Sequence, residues 1–249
     1  MTTELAVLIL AAGKGKRMRN PNMAKVMYEV GGKPMVEHVV DLALKLEPRR
    51  TFVIVGWQKD SVIQHLRNTH KLVEFVEQGE QLGTGHAVMQ TEEHLKEFSG
   101  DVLVLSGDVP LLTESTASAL VGYHRTSSAV ATILTATLRD PTGYGRIVRN
   151  KDGSVKKIVE DKDATNKEKN IKEINTGIYV FQTKELFQGL QQLKPSNAQG
   201  EYYLTDVFEF FWSNKLRVSA VKALDAFEVM GINDFEQLQR AQKVLALRG

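Results

Sequence analysis

Apolar residues run consecutively along LAVLILAA at residues 5–12, and again along RTFVIVG at 50–56 and DVLVLSGD at 101–108. Unbroken runs of this length, closed by glycine or aspartate, read as strands covered on both faces of a sheet. Between them the spacing changes. In KPMVEHVVDLALKL, Met35, Val39, Leu42 and Leu46 recur at helical intervals, and Pro34 suits a first helical turn. KDSVIQHL predicts a short helix, VEFVEQ a further strand, GHAVMQTEEHLKEF a helix entered through glycines, and residues 114–125 another helix. Strands alternating with helices predict an α/β fold, a parallel sheet with helices on both faces, and ligands at the carboxyl ends of the strands.

The texture changes after AVATILTATLRD, which ends at Asp140. GRIVRNKDGSVKKIVED alternates on both sides of Asp152-Gly153, a hairpin pattern. The charged DKDATNKEKNIKEIN reads as a solvated loop before the strand TGIYVF, and residues of about 140–205 are expected to form a smaller lobe inserted over the sheet. EFFWSN reads as core, and FEQLQRAQKVLALRG as a last helix with its basic residues late.

Composition narrows the function classes. The 249 residues carry 32 basic and 30 acidic side chains, a formal charge of +2, so no general attraction to nucleic acid or an anionic membrane follows. The chain has no cysteine, which excludes disulfides and thiolate chemistry and suits a cytoplasmic setting. No stretch approaches the roughly twenty apolar residues that span a bilayer. The six histidines, at 38, 65, 70, 86, 94 and 124, have no zinc-ligand spacing and read as surface or packing residues.

The first strand hands over to Ala11-Ala12-Gly13-Lys14-Gly15, followed by Lys16, Arg17, Arg19 and Lys25. A dinucleotide fingerprint fails because Met18 stands where the third glycine belongs, and a Walker A loop fails because neither Gly-Lys pair precedes Ser or Thr. Small residues that bare backbone N–H groups, backed by cations, suit a polyphosphate. The alternative is a plain glycine turn with solvated charges.

LAAGKGKRM with Lys25 after it resembles the signature of the sugar-phosphate nucleotidyltransferases. Then EQLGTGHA, SGDVPLL, DPTGYGRI, IVEDKDAT, EINTGIYVF, NAQGEYYLTD and GIND resemble, in order, the uridylyltransferase domain of the bacterial N-acetylglucosamine-1-phosphate uridyltransferases. The resemblance spans nearly the whole chain. It implies a Rossmann-like, mostly parallel sheet flanked by helices with a small sugar-binding lobe. It also implies UTP and N-acetylglucosamine-1-phosphate as substrates, with UDP-N-acetylglucosamine and pyrophosphate as products. The chain departs from the family at Lys16, where a small hydroxyl residue is usual, at Ala24, where proline precedes the lysine, and by one extra residue before Lys25.

By the same resemblance, Arg17 takes the leaving β- and γ-phosphates and Lys25 the reacting ones, with Lys14 a weaker helper. Leu10, Ala11, Ala12, Gly13, Gln78, Gly83, Thr84 and Gly107 complete the nucleotide site. Asp108 and Asn233 hold Mg²⁺, the alternatives being an aspartate capping the next turn and an asparagine capping the last helix. Gly145, Glu160, Asn175, Tyr203 and Thr205 contact the sugar, though Tyr203 packed against the sheet is an equal alternative. Two competing readings are a pyrophosphorylase for another sugar or base and a noncatalytic nucleotide-sugar sensor. Bifunctional members continue into a trimerising left-handed β-helix with acetyltransferase activity. Since this sequence stops at Gly249, uridylyl transfer without acetylation is expected and the oligomeric state is open.

Overall fold

The computed structural model describes residues 3–18, 20 and 22–248. Arg19 lies outside them, as does the Lys16 side chain. In chain order the elements begin with β1 (Leu5–Ala11), β2 (Glu29–Val30), β3 (Lys33–Pro34), α1 (Met35–Lys45), β4 (Arg50–Val55), α2 (Lys59–Thr69) and β5 (Glu74–Glu77). They continue with α3 (Thr84–Met89), α4 (Glu92–Leu95), β6 (Asp101–Ser106), α5 (Glu114–Ser127), β7 (Ala131–Thr137), β8 (Arg146–Arg149) and β9 (Val155–Val159). The last are α6 (Asn166–Lys169), β10 (Glu173–Gln182), α7 (Thr183–Leu190), α8 (Val207–Ser213), β11 (Val218–Lys222) and α9 (Phe235–Arg248).

The strands of the main sheet lie in the order β11-β7-β10-β6-β1-β4-β5. β1 pairs in parallel with β4 and β6, and β4 with β5, so the carboxyl ends of four strands share one edge. Leu8 and Ile9 of β1 are wholly buried because one core lies on each face: Ile9 packs with Val53 and Leu105, Leu8 with Phe52 and Val104.

The sheet is mostly parallel, as expected, and β10 breaks the parallel run, antiparallel to both β6 and β7. Its ten residues enter the centre of the main sheet, with Val180 and Phe181 wholly buried, so the segment 140–205 is not one continuous insertion. What stands over the sheet is the β8–β9 hairpin, α6 and the loop before α8.

Smaller differences have local causes. The helix expected over 85–98 breaks into α3 and α4 at Thr91, whose buried hydroxyl donates to the Val88 carbonyl at 2.7 Å and competes with the helical ladder. The stretch read as a solvated loop contains α6, one turn held by a capping box in which Thr165 and Glu168 satisfy each other's backbone N–H. Pro34 precedes α1 rather than opening it. Of EFFWSN, Phe211 is wholly buried and Phe210 and Trp212 pack half-buried against the core, while Glu209, Ser213 and Asn214 are exposed. No helix among the described residues is long and apolar enough to cross a membrane.

Candidate active site

A cleft of about 540 Å³ opens where β1 ends, lined by the β1 turn, Lys25, Gln78, Gln81, Gly83, Thr84, Ser106, Asp108 and Glu201. A second cavity of about 200 Å³ adjoins it and shares Leu10, Thr84 and Ser106; Gly145, Glu160, Asn175 and Thr205 line its far side. The position follows from topology, because parallel strands deliver their loops to one edge.

Leu10, Ala11, Ala12, Gly13 and Lys14 all line the larger cleft. The N–H groups of Gly13 and Lys14 donate to no acceptor among the described residues, which leaves a cradle for an anion. Lys14 rests its ammonium 5.0 Å above the Trp57 ring. Gly107 does not line the cleft; its N–H bonds the Leu10 carbonyl at 2.9 Å, and a Cβ there would sit 3.0 Å from that oxygen, so it fastens β6 to β1 behind the site. Arg17 is exposed on a short 3-10 turn, lines neither cavity and makes no ion pair among the described residues.

Lys25, Asp108 and Asn233 meet, although 208 residues separate the first from the last. The Lys25 ammonium contacts Asp108 Oδ2 and donates to Asn233 Oδ1 at 3.0 Å. Neither capping alternative holds. Asp108 turns its carboxylate to Lys25, and the cap of α9 is Asp234, whose Oδ1 accepts from Gln237 N–H at 2.8 Å. Gly231 keeps the floor clear: a Cβ there would meet both Asp108 oxygens at 3.5 Å. The pair passes a direct test of fit for Mg²⁺, since two hard oxygen donors from distant loops already converge on one cation, the lysine's own.

Ala24 stands where proline is usual, and its backbone is proline-like, with φ −60° and ψ 134°. The departure therefore leaves the path into Lys25 unchanged at that residue.

The Gly83 loop is knitted to the segment before α8, chiefly through backbone groups. Gly85 N–H donates to Tyr202 O and Tyr202 N–H to Leu82 O, both at 2.8 Å, while Thr84 Oγ1 accepts from Leu204 N–H at 3.0 Å. Gly83, at φ 113°, admits no side chain because a Cβ would lie 2.5 Å from Tyr202 O. Gln78 is buried, and its amide nitrogen donates to Gly83 O at 2.9 Å. Its side-chain Oε1 accepts nothing from the described residues.

In the smaller cavity Gly145 O accepts from Asn175 N–H at 2.8 Å, and a Cβ on Gly145 would press within 3.3 Å of Glu160 Oε2 and Asn175 Cβ. Thr205 Oγ1 donates to Glu160 at 3.1 Å. Burial pushes the Glu160 carboxyl above its ordinary value, with Asp206, Asp163 and Asp161 adding to the shift against the Thr205 bond. Asn175 Nδ2 donates to Tyr179 OH at 2.6 Å. Tyr203 is buried and lines neither cavity; its hydroxyl accepts from Gln199 at 2.6 Å.

Ser106, Gln81 and Glu201 join the lining without having been singled out, and Tyr144 and Gly231 stand against the cation pair. Ser106, Tyr144 and Gly231 lie inside SGD, GYG and GIND, so adjacency to an assigned residue was the available signal. The histidines are less scattered than their spacing suggests. His65 reaches Glu37 at 2.5 Å and His70 reaches Asp41 at 2.7 Å, and Glu37, Asp41 and His70 could converge on a metal ion. Lys33 already pairs with Asp41, and none of these residues lines either cavity.

A strand-edge cleft with an anion cradle, a lysine and a carboxylate–amide pair is the equipment of nucleotidyl transfer, and the nucleotidyl transferase family model matches residues 6–229: the chain belongs to that family. It is 49% identical over 241 residues to the bifunctional protein GlmU of Latilactobacillus sakei, covering 97% of this chain and 51% of that protein. To the bifunctional protein GlmU of Geobacillus thermodenitrificans it is 48% identical over 238 residues, covering 96% and 51%. The chain thus spans about half the length of these relatives. Among solved structures, a putative glucose-1-phosphate thymidylyltransferase from Bacillus anthracis superposes with a TM-score of 0.75 at 22% identity, covering 96% of this chain and 94% of that one. A UDP-glucose pyrophosphorylase complexed with UDP-glucose superposes at 0.76 and 17% identity, covering 99% and 100%. At these identities the likeness is one of fold.

Proposed function

We propose that this chain transfers uridylyl from UTP to N-acetylglucosamine-1-phosphate, giving UDP-N-acetylglucosamine and pyrophosphate. The observation that carries the reading is the meeting of Lys25 and Asp108, which line the larger cleft, with Asn233 behind them, beside the adjoining cavity of Gly145, Glu160, Asn175 and Thr205. A triphosphate on one side and a sugar phosphate on the other would meet at that cation site.

An oxygen of the sugar phosphate attacks the α-phosphorus, the bond from that phosphorus to the bridging oxygen breaks, and the electron pair leaves with pyrophosphate. No protein nucleophile is needed, so the chain's task is placement and charge compensation. Lys25 swings its point charge from Asp108 and Asn233 onto the reacting phosphates. Asp108 and Asn233 would hold Mg²⁺, which would supply charge neutralisation at the phosphates. The Gly13 and Lys14 N–H groups hold phosphate oxygens, and Arg17, at the exposed rim, folds over the β- and γ-phosphates. The free Gln78 carbonyl accepts from the uracil ring N–H, with Gly83 and Thr84 completing the base contacts. Glu160 and Asn175 bond sugar hydroxyls, Gly145 admits the ring to the backbone, and Thr205 orients Glu160.

Pyrophosphate release from UTP and Mg²⁺ with a panel of sugar-1-phosphates tests the proposal. Release with N-acetylglucosamine-1-phosphate well above glucose-1-phosphate is expected. Preference for another sugar would move the reading to a different pyrophosphorylase, and binding without release to a sensor.

A further inference from the structure

Gln78 lines the larger cleft although it is only 3% exposed, and two acceptors fix which way round its amide lies. Its Nε2 donates to Gly83 O at 2.9 Å, and the same nitrogen stands 3.1 Å from His86 Nδ1. A backbone carbonyl only accepts, so the atom facing Gly83 is the nitrogen, which has two hydrogens to give. His86 Nδ1 takes the second of them when the imidazole is neutral and carries its proton on Nε2. With both hydrogens engaged, Oε1 is the atom of the amide left for a ligand.

His86 itself lines neither cavity. Its ring lies 6.3 Å from that of Tyr202, on the segment whose backbone is bonded to Leu82 and Gly85. On its other side, Gln90 Nε2 stands 3.2 Å from His86 Nε2 and donates to the His86 carbonyl at 3.0 Å. Two amide nitrogens thus face an imidazole with one lone pair in the ring plane. Gln78 takes it, because turning its buried amide would set Oε1 against Gly83 O. Gln90 is half-buried and keeps the His86 carbonyl, so it is the one that yields.

We infer that His86 is a positioning residue for base selection, its Nδ1 holding the Gln78 amide so that Oε1 is presented to the ligand. This rests on the reading of Gln78 as the base contact proposed above. Uracil offers a hydrogen on ring N3, which Oε1 accepts. Cytosine offers a lone pair on the same nitrogen, and matching it would require the amide reversed, with Oε1 against two acceptors at once. A site that leaves a buried polar atom facing the wrong partner rejects a near-isostere strongly.

His86→Phe keeps a ring beside Tyr202 and deletes the acceptor, while His86→Asn returns an oxygen near the place of Nδ1. Pyrophosphate release with Mg²⁺ and N-acetylglucosamine-1-phosphate, from UTP and from CTP, compares them. In His86→Phe the kcat/KM ratio of UTP over CTP should fall about tenfold, the size of one lost hydrogen bond. The loss should sit in KM for UTP, with kcat little changed, and His86→Asn should recover most of it. A merely structural histidine would lower both nucleotides together. A ratio within about twofold of wild type in His86→Phe overturns the inference, and so does an equal fall in His86→Asn, which would assign the effect to the ring and not to its acceptor. Should His86→Phe not fold, His86→Leu takes its place in the comparison. Gln78→Ala is the reference: if it keeps the wild-type ratio, Gln78 does not read the base and the inference falls with that part of the proposed function. If Gln78→Ala levels the ratio and His86→Phe does not, His86 alone is misassigned.

Discussion

The Lys25 ammonium stands 3.0 Å from Asn233 Oδ1 and contacts Asp108 on its other side, so the chain carries its own counterion at the place where a divalent cation would bind. Lysine and metal compete for the same oxygens. Lys25→Met should therefore tighten Mn²⁺ binding, while turnover falls on the order of 100-fold because the mobile charge over the phosphates is gone. Relaxation titration and pyrophosphate release on the same preparation check both halves, and weaker Mn²⁺ binding would contradict the competition.

In the proposed reading, Glu160 sets fold stability against sugar binding. Its folded pKa is raised above the ordinary 4.5, chiefly by burial, so the folded state holds the proton more tightly than the unfolded chain. Stability from this group is greatest below the unfolded value and falls as pH rises through the folded one. Glu160→Gln should raise Tm at pH 8 and flatten the decline of Tm above pH 4.5, while KM for the sugar phosphate rises about tenfold from the loss of a charged hydrogen bond. Thermal melts from pH 4 to 8, beside initial rates, measure both. A lower Tm at pH 8 would count against the sign.

Gly83→Ala adds one methyl group where the Tyr202 carbonyl leaves no room and where φ is 113°. The expected cost exceeds about 1 kcal/mol of stability, with a larger loss in UTP affinity than in sugar-phosphate affinity, because the loop it distorts is the one proposed to hold the base. Denaturant melts and the two KM values report the difference.

Ala24→Pro restores the residue usual in the family at a position already in the matching conformation. No hydrogen bond from the Ala24 N–H is made to the described residues, so the substitution should stabilise by about 0.4–1 kcal/mol through the unfolded chain, with turnover unchanged. A drop in turnover would mean that the loop must flex at this residue.

Much of the fold was legible because β1, β4 and β6 bury both faces and so write continuous apolar runs. The reversal of β10 was not, since TGIYVF carries the same apolar run whichever way the strand points, and direction is decided by pairing with β6 and β7. At the site, Asp108 and Lys25 were readable as residue types in a basic turn and at a strand end. Their contact, 83 residues apart in sequence, was not. Tyr203 illustrates the converse: its motif pointed to the ligand, yet its side chain went to Gln199 and the interior, because a motif records neighbourhood and not side-chain direction. The α6 turn was hidden by composition, its lysines drowning the Thr165 and Glu168 pair that caps it.

The loop that roofs the cleft is fastened chiefly through the main-chain groups of Leu82, Gly85 and Tyr202, with the Thr84 hydroxyl added. Main-chain fastening is indifferent to what the side chains are. Glu201, which projects into the cleft from that loop, can thus be exchanged by selection without unmooring the roof. The scaffold separates the part that must persist from a part that can drift, and a change of substrate taste is open to it at little risk to folding.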